Sequence, residues 1–278
     1  MRVRLELKGF HSQCTSMATS VWSALGVDKE SWIGKLIAVE ECHGSNGNFV
    51  LNCLIAEQIH KDGAVCLVAL HNSFGHYHNV GTKLGYNLHQ LQEKGSVESI
   101  EVLKSLSGSL NSTLEDGTQN FFFVDEENTV RNLFYLIEEK IKKLLQHRKP
   151  VSLVIDDLSD LLSLGIPVKE VLLFLQYCRT LLESQPDLSL VVLTHVAEGD
   201  EEQRLLSTGL CHVADISVTV SGLKTGQSSD VSGAMKVIHR RWNQPIIADE
   251  WNKQNLYHFK LLDRQVKVFA PGTASSLM

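Results

Sequence analysis

The sequence predicts an α/β domain with a mostly parallel central sheet, helices on both faces and an antiparallel extension at its C-terminal edge. Three observations lead to this fold class. Wholly apolar segments such as 64–70 are typical of strands that are covered on both faces. The segments at 35–70 follow the order strand, helix, strand, which is the order of a βαβ unit. After residue 194 the apolar segments become short and are split by turn residues, as antiparallel strands are.

The first half of the chain supplies one part of this sheet. A strand at 35–40 leads into a glycine-rich turn at 43–47, and an apolar-rich helix from about 49 to 60 follows. The strand at 64–70 completes the βαβ unit. A polar loop and a short helical stretch then lead to a weaker strand at 99–103. The order of these elements predicts parallel pairing in the centre of the sheet.

The second half begins with a stretch at 105–120 rich in Ser, Asn and Gly, which predicts an exposed loop. The clearest helix spans 129–147, where apolar residues recur at intervals of three and four. A strand at 151–155 ends in two aspartates, a helix follows Pro167, and a buried strand covers 190–194. Four short segments form the antiparallel edge: 216–220, 235–240, 257–262 and 266–269.

Composition and charge narrow the classes of function. The chain has 278 residues, 43% of them hydrophobic, which is enough for a full core. No linker divides the elements, so we expect one domain. The net charge of −6 argues against a protein that binds nucleic acid through its overall charge. Any contact with nucleic acid must therefore be local or shared with a partner.

The cysteines and the apolar runs bear on the cellular compartment. None of the six cysteines forms a CxxC pair, so the spacing of a zinc ribbon is absent. Several cysteines lie in apolar stretches, where a free thiol behaves as a small hydrophobic group. No apolar run approaches the ~18 residues that indicate a membrane span. We expect a reduced, intracellular protein without membrane contact, in the cytoplasm, and leave the nucleus open as a second location.

The turn after the first strand has the position and length of a phosphate-binding loop, G-x-x-x-x-G-K-[ST]. With Gly47 as the second glycine, Cys42 stands in place of the first. Asn48 stands in place of the lysine and Phe49 in place of the hydroxyl residue that holds magnesium. Backbone N–H groups at the start of the helix would still attract an anion. The alternative is a tight strand-to-helix turn that binds no ligand.

The strand at 151–155 ends in Asp156 and Asp157, and a strand-end aspartate of this kind holds magnesium in phosphate-binding loop ATPases. Thr194 and His195 end the next strand, where such proteins often carry a polar residue that senses phosphate. This order resembles a RecA-type ATPase with a degenerate phosphate loop. The alternative for Asp156 and Asp157 is a structural role, in which they cap the short helix that follows.

Two other groups of residues have weaker signals. His71, His76 and His78 have the spacing of metal ligands, but lack a clear fourth ligand and are as readily explained by loop packing. Arg240 and Arg241 close an apolar strand. They are candidates for contact with a neighbouring subunit or a nucleic acid, or they form a solvated strand end.

Several motifs resemble the family of the sixth subunit of the Elongator complex. The likeness runs from about residue 17 to the C-terminus, which implies a single domain at 17–278 and an N-terminal extension at 1–16 outside the family pattern. The motifs are NSFGHY at 72–77, GTKLG at 81–85, VIDDLS at 154–159, LLSLG at 161–165, YCR at 177–179, HRR at 239–241 with QP at 244–245, and VKVFA at 266–270.

The resemblance implies a RecA-like three-layer domain without working nucleotide motifs, hence no enzyme activity, no cofactor and no catalytic residue in this chain. It implies a ring of six with the fourth and fifth Elongator subunits, which are also RecA-like, and contact with the remaining subunits through that ring. It implies that the assembled ring binds transfer RNA and supports modification of the wobble uridine, U34.

Two hypotheses therefore compete: a non-catalytic ring subunit, and a nucleotide-hydrolysing RecA-type ATPase with a divergent phosphate loop. The net charge predicts little RNA binding by the chain alone. The candidates for a local RNA or subunit contact are Lys224, Lys236, Arg240 and Arg241.

Overall fold

The computed structural model describes residues 19–104, 129–223, 226, 228, 230–240 and 252–273. The N-terminal extension at 1–16, the predicted loop at 105–120, and the candidate residues Lys224 and Arg241 lie outside the described residues. The helix predicted at 129–147 and the strands predicted on either side of it lie within them.

One sheet of nine strands organises the described residues, in the order β3-β2-β4-β5-β1-β6-β7-β8-β9. The strands are β1 (Leu36–Cys42), β2 (Ala64–Ala69), β3 (Val97–Glu101), β4 (Val151–Asp156), β5 (Leu188–Val196), β6 (Ile216–Ser221), β7 (Gly233–Arg240), β8 (Asn252–Leu261) and β9 (Val266–Phe269). Strands β1 to β6 pair in parallel, and β7 to β9 continue the sheet antiparallel. The predicted fold class is confirmed.

Helices cover both faces of the parallel part. They are α1 (Asn48–His60), α2 (Phe74–Leu84), α3 (Leu88–Glu93), α4 (Thr129–His147), α5 (Asp160–Ser163), α6 (Val168–Ser184) and α7 (Glu201–Val213), and residues 19–25 are also helical. One apolar cluster lies between the sheet and α1, and the other lies between the sheet and α4, α6 and α7. Successive residues of a strand therefore pack into opposite clusters, as Leu36 and Ile37 do.

The structure corrects the prediction for the segment at 216–220. It was grouped with the antiparallel strands, but β6 pairs in parallel with β1 and antiparallel only with β7. The reason is α7, which the sequence analysis did not predict and which begins after the Asp200 side chain accepts a hydrogen bond from the Gln203 N–H. A helix between β5 and β6 provides the crossover that parallel strands require.

Candidate functional site

The loop at 43–47 leaves β1 at its carboxyl end and leads into α1, the usual place for a ligand in a parallel sheet. Its backbone donors are already used within the chain. The Gly47 N–H donates to a Glu41 carboxylate oxygen over 2.6 Å, and the Asn48 N–H donates to the Asn46 side-chain oxygen over 3.0 Å. Side-chain oxygens thus occupy the donors that a phosphate would otherwise meet at the start of α1.

Asn48, in the lysine position of the loop, is buried and fully engaged. Its Nδ2 donates to the Tyr77 hydroxyl over 2.7 Å, and its Oδ1 accepts from Asn52 Nδ2 over 2.6 Å. Burial, and then the nearby charge of Asp156, raise the pKa of Tyr77 well above its usual value. Tyr77 therefore stays protonated and connects the loop to the end of β4.

This role of Tyr77 was not predicted from the sequence, where its neighbours His76 and His78 were explained by packing in a loop. The residue lies on α2 and is completely buried. A signal for that helix exists in the sequence, because Phe74, Tyr77, Gly81 and Leu84 follow one another at helical intervals. The same four residues are the buried face of α2.

Phe49, in the position of the magnesium-binding hydroxyl, belongs to the apolar core. It is 8% exposed, and its ring lies 4.7 Å from the ring of Phe259 on β8, measured between centroids. This contact ties the start of α1 to the antiparallel extension. A phenyl ring offers no ligand to a metal ion, so Phe49 cannot hold magnesium.

Asp156 ends β4 with its carboxylate fully buried. One oxygen accepts from the backbone and side-chain N–H groups of Asn72, over 3.3 and 3.0 Å. The other oxygen has no hydrogen-bond partner among the described residues. Through Tyr77 and Asn72 the carboxylate is held against the loop after β2, so protein groups surround it where a RecA-type ATPase would hold magnesium.

Asp157 has a local structural contact. Its carboxylate accepts from the Ser159 N–H over 2.9 Å, just before α5. Burial raises its pKa to about 7, and the neighbouring Asp160 and Asp156 add to this, while the hydrogen bonds from Ser159 oppose it. The carboxyl is therefore partly protonated at neutral pH.

The end of β5 contributes polar groups that also have internal partners. His195 Nδ1 lies 3.3 Å from a Glu41 oxygen, and the Ser159 hydroxyl bonds to the backbone of His195. The buried Thr194 hydroxyl donates to Ser207 over 3.2 Å. These contacts extend the polar chain from the loop across β5 to α7.

The histidines do not converge on a metal. His71 Nδ1 lies 3.0 Å from an Asp160 oxygen, and that contact raises the pKa of His71 against the effect of partial burial. His76 stacks edge-on against Tyr77, and His78 lies against His89. Within the described parts of the chain, no group of three or more His, Cys, Asp or Glu side chains has the arrangement of a metal site.

Two of the four basic candidates can be placed. Lys236 projects from the middle of β7 and is partly exposed. The Arg240 guanidinium donates to the carbonyl of His212, at the end of α7, so this side chain fixes the helix to β7. Lys224 and Arg241 lie outside the described residues. Among the helices that the structure describes, none has the length and apolar character needed to cross a membrane.

Comparison with known proteins identifies the family. The model of the family described as Elongation complex protein 6 matches residues 20–263. The chain belongs to the Elongator complex protein 6 family. Elongator complex protein 6 of Rattus norvegicus is 32% identical over 240 residues, covering 84% of this chain and 90% of the relative. The Homo sapiens protein of that name is 32% identical over 241 residues, with the same two coverages.

Solved structures support the fold of this Elongator family member. A KaiC-like protein from Pyrococcus horikoshii superposes with a TM-score of 0.56 at 14% identity, over 85% of this chain and 89% of that one. An uncharacterized protein from the same archaeon, crystallised with an unknown peptide, superposes with a TM-score of 0.57 at 12% identity, over 86% and 93%. At these identities the likeness concerns the fold alone, and that fold is RecA-like.

Proposed function

We propose that this chain is a non-catalytic subunit of the Elongator complex. In this proposal it joins the fourth and fifth subunits in a hetero-hexameric, RecA-like ring and contacts the remaining subunits through it. The assembled ring binds transfer RNA and supports modification of the wobble uridine U34. The protein works in the cytoplasm, with the nucleus as a second location to be tested.

One observation carries the non-catalytic assignment: side chains of the chain itself fill the loop. Glu41 takes the Gly47 N–H, and Asn48 is tied to Tyr77 and Asn52. Phosphoryl transfer needs positive charge at the developing negative charge of the phosphate. Here the loop presents a carboxylate and a neutral amide instead, which opposes a bound triphosphate electrostatically.

The second candidate, a RecA-type ATPase with a divergent loop, rests on the buried carboxylate of Asp156. One of its oxygens has no hydrogen-bond partner among the described residues, which is unusual for a buried group. A magnesium ion at this oxygen would provide one. Phe49, however, supplies no second ligand, and Tyr77 already lies beside the carboxylate.

Two measurements on the purified full chain separate these candidates. The first is the rate of ATP turnover with magnesium, compared with the Asp156→Ala variant. The second is the shift in melting temperature with millimolar Mg-ATP, since a ligand that binds only the folded state raises it. We expect no turnover and no shift. Turnover that disappears in Asp156→Ala would establish the ATPase instead.

Membership in the complex needs a separate experiment. The tagged chain is isolated from its own cells under mild conditions, and co-purifying proteins are identified by mass spectrometry. We expect the other Elongator subunits at comparable amounts, with the fourth and fifth retained at the highest salt. Isolation of the chain without any of them would contradict the proposal.

A further inference from the structure

One face of the antiparallel extension is uncovered in the described part of the chain. Met235, Val237, Phe259 and Val266 of β7 to β9 belong to the apolar cluster beneath α1. Their neighbours in sequence point to the opposite face, because side chains alternate along a strand. None of those neighbours belongs to either apolar cluster. On that face the helical cover ends at α7, where Arg240 meets His212.

Basic and aromatic side chains make up more than half of this uncovered face. Lys260 on β8 and Lys267 on β9 lie directly opposite each other. His258 and Phe269 form the adjacent cross-strand pair, with ring centroids 6.2 Å apart at an angle of 86°. Among the outward residues that the structure describes on β7 to β9, none is acidic: Ala234, Lys236, Ile238, Arg240, Gln254, Leu256, His258, Lys260, Lys267 and Phe269.

The lysines are not neutralised by this face itself. Two like charges directly opposite on neighbouring strands repel each other. Lys260 has an ion pair with Asp230 at 3.7 Å, but Asp230 is 73% exposed, and such surface pairs contribute little. Lys236 adds a third cation on β7, opposite the exposed Leu256. In a chain of net charge −6, this is a local concentration of positive charge.

We propose that this face, defined by Lys236, His258, Lys260, Lys267 and Phe269, binds a single-stranded segment of RNA. Lysines neutralise the phosphates, and the aromatic pair offers ring surface to a base. A protein partner fits less well, because protein–protein interfaces contain few lysines and their buried centres carry few charged residues. The proposal rests on the RNA contact of the assembled complex and adds the surface where this chain makes it.

The test uses the purified complex that contains the full chain and a fluorescein-labelled single-stranded RNA of about 20 nucleotides. Fluorescence anisotropy measures the dissociation constant at several salt concentrations. The main variant is Lys260→Ala with Lys267→Ala. Its matched control is Lys29→Ala with Lys94→Ala, two exposed lysines outside β7 to β9 that change the net charge equally. A second variant, Phe269→Leu, keeps an apolar side chain and removes the ring.

We expect the lysine variant to bind RNA roughly tenfold more weakly at low salt. The slope of log affinity against log salt should fall by about 1.4, as for two lost phosphate contacts on a single strand. Phe269→Leu should weaken binding at every salt concentration with an unchanged slope, since stacking releases no counterions. The control variant should bind as the wild type does. Purified variants must carry the same subunits as the wild type.

Each contrary outcome has a distinct meaning. If the wild-type complex binds RNA and the Lys260 and Lys267 variant does so with the same affinity and slope, the proposed face is wrong and the proposed function stands. If the variant instead loses its partner subunits, the face is a protein interface and the RNA proposal is overturned. If the wild-type complex does not bind the single-stranded RNA, this proposal fails. The RNA part of the proposed function fails as well only if the same complex also leaves transfer RNA unbound in the same assay.

Discussion

Single residues decide why the loop after β1 is not an open phosphate site. Asn48 and Phe49 are integrated into the fold in different ways: one joins a buried polar chain and the other joins the apolar core. A lysine at 48 would lose the bond to Tyr77, and a hydroxyl at 49 would leave a cavity beside Phe259. The two residues that differ from a nucleotide-binding loop therefore both contribute to the stability of the fold.

Restoring the motif should damage the protein without creating an enzyme. We expect Asn48→Lys with Phe49→Ser to lower the free energy of unfolding by roughly 3–5 kcal/mol, the range for truncating a buried phenyl ring. ATP turnover should stay at background. Urea unfolding and a phosphate-release assay measure the two effects. A stable double variant that hydrolyses ATP would show that the loop is an intact scaffold lacking only two side chains.

The hydroxyl of Tyr77 should contribute to stability. Tyr77→Phe leaves Asn48 Nδ2 without its acceptor in a buried site, which costs about 1–3 kcal/mol. Tyr135→Phe is the matched control, because Tyr135 is 57% exposed. Its unfolding free energy should stay within about 0.5 kcal/mol of the wild type. Equal stabilities of the two variants would mean that the Tyr77 contact contributes nothing.

The raised pKa of Asp157 predicts that the stability of the protein depends on pH. Its pKa is raised to about 7 in the folded state, from an ordinary value of 3.8. The folded state therefore holds the proton over this interval while the unfolded state releases it, and stability falls as the pH rises from about 4 to about 7. His71, whose pKa is raised from an ordinary value of 6.5, acts in the same direction but only above about pH 6.5, where its folded form retains a proton that the unfolded form releases.

The variant Asp157→Asn isolates this effect, since its side-chain oxygen can still accept from the Ser159 N–H. We expect its stability advantage over the wild type to grow between pH 4 and pH 7, by at most about 4 kcal/mol. Urea unfolding at several pH values gives the difference. A difference that stays constant across this range would place the Asp157 pKa near its ordinary value.

Among the secondary-structure elements, α2 shows how packing restricts sequence. A Cβ at Gly81 would lie 2.4 Å from a ring carbon of the buried Tyr86, whereas a Cβ at Gly75 would meet only the Ser73 hydroxyl oxygen, at 3.7 Å. Tyr86 is 7% exposed, so its ring has little room to move. The two glycines of one helix thus have opposite tolerance for a side chain.

Alanine substitutions test this contrast within the same helix. Gly75→Ala should stabilise the protein by up to about 1 kcal/mol, the difference in helix propensity. Gly81→Ala should destabilise it by roughly 1–3 kcal/mol, because overpacking outweighs that gain. Thermal and urea unfolding measure both. The same sign for the two variants would contradict the packing around Tyr86.

The elements also show how far sequence reasoning reaches. Apolar runs were enough to predict β1, β2, β4 and β5, because strands buried on both faces have almost no polar residues. They did not suffice for α7, whose first turn is acidic and resembles a solvated loop. Without α7 the direction of β6 could not be deduced. The polar chain through Tyr77 was also out of reach, since partners 29 residues apart meet only in the folded structure.

At the scale of the whole molecule, a RecA-like fold has been kept while its loop is occupied by the chain's own side chains. The chain also has a net charge of −6, with cations gathered on the uncovered face of β7 to β9. Both features suit a protein that acts inside an assembly. Inside such an assembly, the interfaces with related subunits would stabilise the chain, and the assembled surface would bind the RNA.

The proposed function makes this chain a non-catalytic member of a ring with the fourth and fifth Elongator subunits. Its most direct test is the mass of the assembly formed when the three full chains of one organism are co-expressed, measured by native mass spectrometry. We expect one species containing two copies of each chain. A chain that remains a free monomer while the other two subunits are present in excess would contradict it.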